Sequence, residues 1–188
     1  MLKQGATTAQ GFIVWVWCDT NNCSCFRLQH TTDPPASLEF SENISKVGTQ
    51  PIIGTQINFK FEDTIGLLPL ISLNEDGYKR IVELSSKSYL DNDTGTEPHC
   101  DISELYKNNN GVLILSGSIQ GLFGKLFDKG RFAEIHNIYK KISYNFVDRF
   151  YLEIQRHGDL NEKIFEKYNL QKSSELKMTI LQHVCNEV

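Results

Sequence analysis

Apolar and polar positions form alternating blocks along the chain, and most apolar blocks have the length of a strand. Short runs that are rich in β-branched and aromatic residues and bounded by turn formers predict buried strands. These runs are GFIVWVW (11–17), PIIGTQINFKF (51–61), LLPLISL (67–73), VLILSG (112–117), RFYLEIQ (149–155) and MTIL (178–181). The run at 112–117 is continuously apolar, which is typical of a strand that is covered on both faces of a parallel sheet.

Segments with helical spacing lie between most of these runs. Ser37 and Asn74 are placed to cap helices that begin just after them. The predicted helices cover residues 37–48, 75–90, 118–130, 131–146 and 160–176, with one or two turns at 101–106. Strands that alternate with helices predict a parallel βα architecture. Functional groups then belong on the loops after strand carboxyl ends, here CDTNN, SGS and QRHG.

Composition narrows the class of protein. The chain has 188 residues, of which 40% are apolar and 22% charged, as expected of one globular domain. Its net charge of −4 gives no electrostatic footprint for binding a phosphate backbone. No run reaches the roughly 20 apolar residues of a membrane span, and the amino terminus lacks a signal-peptide pattern. We therefore expect a cytoplasmic protein without a membrane partner.

Three cysteines and a histidine fall within CDTNNCSCFRLQH, residues 18–30. The spacing is C-x4-C-x-C-x4-H, whereas structural zinc sites use paired C-x2–4-C spacing. No histidine and acid are placed to activate a cysteine as a nucleophile. An incidental loop with free thiols is therefore favoured over a metal site, which stays open as the alternative.

Four blocks in a fixed order carry a family resemblance. They are residues 37–61, 69–90, 111–126 and 149–158, with DTNN at 19–22 as an upstream motif. Together they resemble the N-terminal PHP (polymerase and histidinol phosphatase) domain of bacterial DNA polymerase III alpha subunits. The resemblance implies an α/β fold, namely an incomplete, distorted βα barrel of mostly parallel strands with outer helices. Residues 1–188 are then one partial PHP domain, with an inserted or disturbed loop at 18–36 and a truncated end at 179–188.

The resemblance also identifies candidate metal ligands. PHP domains of the wider family hold Mg²⁺, Mn²⁺ or Zn²⁺, and a metal-activated water cleaves a phosphoester. Asp19 and His157 are the candidate ligands that remain in this chain. Thr20, Gln56 and Ser118 stand where ligand-bearing relatives have a histidine, an acid and a cysteine. The His-x-His motif of the family has no counterpart in residues 1–11. We therefore expect no metal cofactor and no catalytic residue in this chain.

The family synthesises DNA by template-directed nucleotidyl transfer, with carboxylates of a palm domain that this chain lacks. The resemblance thus implies a fragment of a replicative polymerase without catalysis of its own. Its expected partners are the rest of the alpha subunit and other replisome subunits, and DNA only through the missing domains. The alternatives are a metal-dependent phosphoesterase or 3′-5′ exonuclease, a non-catalytic interaction module, and a decayed gene product.

The remaining candidate groups have simpler structural interpretations. His99 beside Cys100 is an alternative metal pair, and His136 is expected on a helix surface. Lys125, Lys129 and Arg131 form a small basic patch, which is interpreted as a solvated helix end with DNA or partner contact as the alternative. The glycines of SGSIQG are expected to close a tight strand-to-helix turn, since the loop lacks the lysine of a P-loop.

Overall fold

The computed structural model describes residues 12–17, 26–27, 42–43, 45–46, 50–93, 95–155 and 160–183. The chain divides into two compact units after Gln56.

The first unit contains a small antiparallel arrangement. Strand β1 (Phe12–Trp17) pairs antiparallel with β2 (Phe26–Arg27) and with the first half of β3 (Gln50–Phe61). Phe12 lies opposite Thr55 and Trp17 opposite Gln50. The predicted strands at 11–17 and 51–61 are confirmed. Helical residues at 42–43 and 45–46 fall inside the helix predicted at 37–48.

The second unit is a mixed sheet of six strands with helices. In addition to the second half of β3, its strands are β4 (Thr64–Ser72), β5 (Cys100–Asp101), β6 (Val112–Leu115), β7 (Phe150–Gln155) and β8 (Thr179–His183). The order is β3-β4-β6-β7-β8, and β5 pairs with β3. Every strand predicted between residues 51 and 181 is therefore present.

Strand direction differs from the expectation of mostly parallel pairing. β6, β7 and β8 are parallel neighbours, and β5 is parallel to β3, but β4 is antiparallel to β6. The connection from β3 to β4 consists only of Glu62 and Asp63. A parallel pair needs a crossover of a dozen or more residues, so this two-residue turn forces an antiparallel hairpin. The sheet is thus mixed, and closure into a barrel stays a prediction.

The helices agree closely with the apolar spacing of the sequence. They are α1 (Glu75–Leu90), a 3₁₀ helix (Ile102–Tyr106), α2 (Leu122–Asp128), α3 (Phe132–Asn145) and α4 (Leu160–Leu176). Asn74 caps α1 as predicted, because its Oδ1 accepts a hydrogen bond from Gly77 N at 2.9 Å. None of the helices in the described ranges is long and apolar enough to cross a membrane.

Core packing holds the helices against the sheet. The side chains of Phe59, Leu70, Ile114 and Leu152 are fully buried in the strands. Tyr139 of α3 packs its ring against Phe123 of α2 and Phe150 of β7, with centroids 4.5 and 5.6 Å away. Burying such side chains contributes about 1.5–3 kcal/mol each. Two helices and a strand are thereby fixed around one buried tyrosine.

Candidate functional site

The loop from Ser116 to Gly121 follows the carboxyl end of β6, where βα proteins place function. Gly117 has a φ of +77°, a conformation that L side chains rarely adopt. A Cβ on Gly121 would lie 3.0 Å from the carbonyl oxygen of Leu67. The glycines therefore close the turn into α2 as the sequence predicted.

A small cleft lies beside this loop, between β7 and α4. Carboxylates line it from three positions, Glu153 on β7 and Glu162 and Glu166 on α4. Ser118 and Asn169 add a hydroxyl and an amide. Its interior volume of about 10 Å³ has room for a single water-sized molecule. We call this feature the acidic cleft, and it lies at the carboxyl ends of β6 and β7.

Buried polar contacts hold the elements that line the cleft. Ser116 Oγ accepts a hydrogen bond from the backbone N–H of Glu153 at 2.9 Å, which ties the loop to β7. Tyr139 Oη donates to Asn169 Oδ1 at 3.0 Å, which ties α3 to α4. Burial raises the pKa of Tyr139 well above its ordinary value, so the hydroxyl stays protonated and can donate. These contacts fix the position of the cleft wall.

The structure places only some of the predicted site residues. Asp19, Thr20 and His157 lie outside the described residues. Gln56 is half-buried on β3 in the first unit, and Ser118 lies at the rim of the acidic cleft.

A test of fit for a divalent metal uses the side chains at these positions. Ser118 Oγ accepts a hydrogen bond from Gln120 N at 3.3 Å within its own turn, and Ser118 O accepts one from Gly121 N at 2.9 Å. A neutral hydroxyl and a neutral amide are weak ligands compared with the cysteine and acid of ligand-bearing relatives. Among the described residues, no three His, Cys, Asp or Glu side chains are grouped to hold a metal ion. The described positions therefore do not fit the family's metal site.

The predicted basic patch contacts the β3–β4 turn and the strand that follows it. Lys129 Nζ donates to Asp63 Oδ2 at 3.1 Å and to Thr64 Oγ1 at 2.6 Å, and Lys125 Nζ donates to Ile65 O at 2.8 Å. The hydrogen bond from Lys129 is the main cause of the lowered pKa of Asp63. Lys129 thus pairs with an acid of the hairpin turn, whereas Lys125 is held by a backbone carbonyl and keeps its charge.

Arg131 completes the same arrangement. Its guanidinium pairs with Glu62, with Asp63 and with Glu134 of α3. The pKa of Arg131 is raised, chiefly by its hydrogen bond with Glu134. Three carboxylates compensate the positive charge of Arg131. This side chain therefore offers little charge to a DNA phosphate, which weakens the alternative of a DNA contact.

The two remaining histidine candidates have local partners. His99 Nδ1 lies 2.7 Å from the carbonyl oxygen of Glu97. The neighbouring Cys100 is buried, its thiol donates to Leu84 O at 3.2 Å, and burial raises its pKa to about 11. A thiol that resists deprotonation is a poor metal ligand. His136 lies half-exposed on α3, 4.0 Å from a carboxylate oxygen of Glu175, as expected of a helix-surface residue.

Sequence reasoning missed two buried polar residues of the cleft, Glu153 and Asn169, and Tyr139, which is hydrogen-bonded to Asn169. Each stands in an otherwise apolar pattern, at a position that faces the interior. Asn169 follows Phe165 by four residues on the buried face of α4, and Glu153 lies inside the apolar run of β7. A polar residue on the buried face of a predicted element was the available signal.

Comparison with known proteins agrees with this architecture. The PHP domain model matches residues 7–157. DNA polymerase III subunit alpha of Caulobacter vibrioides is 34% identical over 135 residues, which are 65% of this chain and 11% of that protein. The subunits of Rickettsia prowazekii and Haemophilus influenzae are each 32% identical, over 77% and 78% of this chain.

The chain therefore belongs to the PHP domain family. Within that family it is similar to the PHP region of DNA polymerase III alpha subunits, which confirms the resemblance read from the sequence. It spans between 11% and 13% of the length of these relatives.

Proposed function

We propose that this chain is a non-catalytic PHP domain of the DNA polymerase III alpha type, and that it serves DNA replication as a stabilising and docking module. The relatives it matches are named as alpha subunits of this polymerase. The chain corresponds to a small part of them, so polymerisation itself belongs to other domains. Its partners are then the rest of an alpha subunit and other replisome subunits, in the cytoplasm.

The side chain of Ser118 is the observation that carries the proposal. It occupies the position where ligand-bearing relatives have cysteine, and its hydroxyl is committed to its own turn. Gln56 similarly supplies an amide where an acid is needed. A catalytic di-metal site needs several anionic or imidazole ligands at once. Two described positions that give neutral oxygen atoms leave such a site short of charge.

The test is hydrolysis by the purified full chain with Mn²⁺ or Zn²⁺. Substrates are bis-p-nitrophenyl phosphate for phosphoesterase activity and a 5′-labelled single strand for 3′-5′ exonuclease activity. We expect rates equal to those of the metal ions alone. Hydrolysis that exceeds this background and disappears in Asp19→Ala, with an unchanged circular dichroism spectrum, would contradict the proposal.

The second candidate function is a metal-dependent phosphoesterase, and the acidic cleft favours it by its carboxylates, although they are not grouped closely enough to hold a metal ion by themselves. Glu153, Glu162 and Glu166 offer carboxylates at the end of the sheet where hydrolytic PHP domains work. If this alternative holds, Glu153→Gln abolishes hydrolysis together with Asp19→Ala. Lys177→Gln, at an exposed position outside the cleft, is the matched control and keeps full activity.

A further inference from the structure

Helix α4 exposes large apolar residues to solvent and buries two polar residues beside Phe165. Phe165, Asn169 and Ser173 are its buried residues. Leu160 and Ile164 are exposed by 69% and 51%. A surface helix whose outer face contacts only water normally keeps its large apolar residues on the buried face. The outer face of α4 therefore has the composition of a surface that another molecule covers.

Two exposed apolar residues of α4 and the half-buried Tyr168 form a strip that continues onto α3. Leu160, Ile164 and Tyr168 are spaced four residues apart and so lie in a row along α4. At the end of this row the ring of Tyr168 lies 5.7 Å from the ring of Phe132, which is 47% exposed at the start of α3. Tyr168 Oη donates to Phe132 O at 3.2 Å and holds the two residues together. We name these four residues the α4 strip.

Lysines border the strip on one side. Lys163 and Lys167 are exposed and lie one turn apart beside Leu160 and Ile164. Neither makes an ion pair with any residue that the structure describes, whereas Lys172 at the far end pairs with Glu175 at 2.6 Å. Lys163 and Lys167 thus present two positive charges along an apolar row, in a chain whose net charge is −4.

We propose that the α4 strip docks an amphipathic helix of a protein partner, with an apolar stripe on the strip and Asp or Glu residues facing Lys163 and Lys167. A straight row over eight residues of α4 is about 12 Å long, which suits the ridges-into-grooves packing of a second helix. Opposite charges at the edge of such a helix pair set partner choice and orientation. The inference rests on the proposed docking function and specifies the partner.

Other occupants fit the strip less well. A nucleic-acid backbone would need a denser array of cations than two lysines beside four apolar residues. A second copy of this chain would present the same lysines against the same apolar row. Like charges would then face each other across the contact, which is unfavourable. An acidic helix gains from both features of the strip.

The experiment measures binding of a labelled peptide to the full chain by fluorescence anisotropy at low salt. The probe is an amphipathic helix about three heptads long with leucine at the a and d positions and glutamate at the e and g positions. The matched probe has lysine in place of each glutamate. We expect the acidic peptide to bind at least tenfold more tightly than the basic one, and the preference to shrink as salt is added.

Variants of the strip locate the contact. Leu160→Gln combined with Ile164→Gln should weaken binding of the acidic peptide at least tenfold. Lys163→Glu combined with Lys167→Glu should reverse the preference between the two peptides. The control is Tyr144→Gln with Lys140→Glu, an exposed aromatic residue and an exposed lysine on α3, which should leave both affinities unchanged.

Several outcomes would overturn the inference. They are equal binding of both peptides, binding that the strip variants do not change, and a dimer in light scattering that the strip variants dissociate. All variants are compared by circular dichroism to exclude unfolding. None of these outcomes bears on hydrolysis, so the peptide experiment can fail while the proposed lack of catalysis stands.

Discussion

The two ends of strand β6 are built differently. At its amino end, backbone meets backbone, since a Cβ on Gly77 would lie 1.9 Å from Gly111 O and Leu73 N donates to that same oxygen at 2.7 Å. At its carboxyl end, Ser118, Glu153 and Asn169 surround a cleft. The contact between Gly77 and Gly111 leaves no room for a ligand between the two backbones and serves stability. The carboxyl end keeps the shape of a site, although its described family positions carry weak ligands.

The largest effect is expected at the amino end, from Gly77→Ala. The new methyl group would collide with the Gly111 backbone, which cannot move without disturbing β6. Overpacking of this kind costs about 3 kcal/mol. Urea unfolding measures the loss. Gly130→Ala is the control, because its surroundings are open and only its positive φ is strained. Equal losses in the two variants would mean that close packing is not what distinguishes this end.

Tyr139→Phe tests the carboxyl end. The change leaves Asn169 Oδ1 buried without its donor, for which we expect a loss of about 2 kcal/mol in the free energy of unfolding. Tyr144→Phe removes the same hydroxyl from a side chain that is 84% exposed and should change nothing. If Tyr139→Phe leaves the free energy of unfolding unchanged, the hydrogen bond between Tyr139 and Asn169 does not stabilise the fold.

Asn74→Ala removes the cap of α1 beside the Gly77–Gly111 contact. The N–H of Gly77 loses its acceptor, so the variant should be about 1 kcal/mol less stable in thermal unfolding. Asn74→Asp keeps an acceptor and should retain most of the stability. If both substitutions destabilise equally, the side-chain acceptor is not what matters there.

The smallest effect concerns the β3–β4 turn, which lies apart from both ends of β6. The pKa of Asp63 is lowered in the folded protein, mainly by its hydrogen bond with Lys129. The ionised form of Asp63 therefore stabilises the folded state relative to the unfolded state. This stabilisation is present above the unfolded pKa and is lost as pH falls through the folded pKa. Asp63→Asn should therefore flatten the acid side of the profile of stability against pH slightly. An unchanged profile would mean that the contact between Asp63 and Lys129 does not contribute to stability.

Local patterns were sufficient to predict most elements of the fold. The apolar spacing and Asn74 gave α1, and the apolar runs gave β3, β4 and β6. Strand direction was harder to predict. The hairpin depends on a turn of only Glu62 and Asp63, whereas the sequence pattern indicated two strands with a longer connection. Strand propensity is a property of one segment. Whether two neighbouring strands run parallel or antiparallel depends on the length of the connection between them.

Of the candidate site, only the glycine-rich loop after β6 was predicted from the sequence. The glycines of SGSIQG indicated a tight turn, which Gly117 and Gly121 form. The contact between Tyr139 and Asn169 joins residues thirty positions apart, and no local pattern indicates which polar groups will meet across two helices. The ion pairs of the basic patch could not be predicted, because Asp63 and Glu62, the partners of Lys129 and Arg131, lie far from them in the sequence.

Metal stoichiometry tests the central claim most directly. The full chain is dialysed against Mn²⁺ or Zn²⁺, and bound metal is counted by mass spectrometry for the native chain, Ser118→Cys and the control Ser103→Cys. The account predicts less than one ion per native chain, a gain in Ser118→Cys because a thiolate ligand is restored, and no gain in the control. Two ions per native chain, lost in Asp19→Ala, would contradict it.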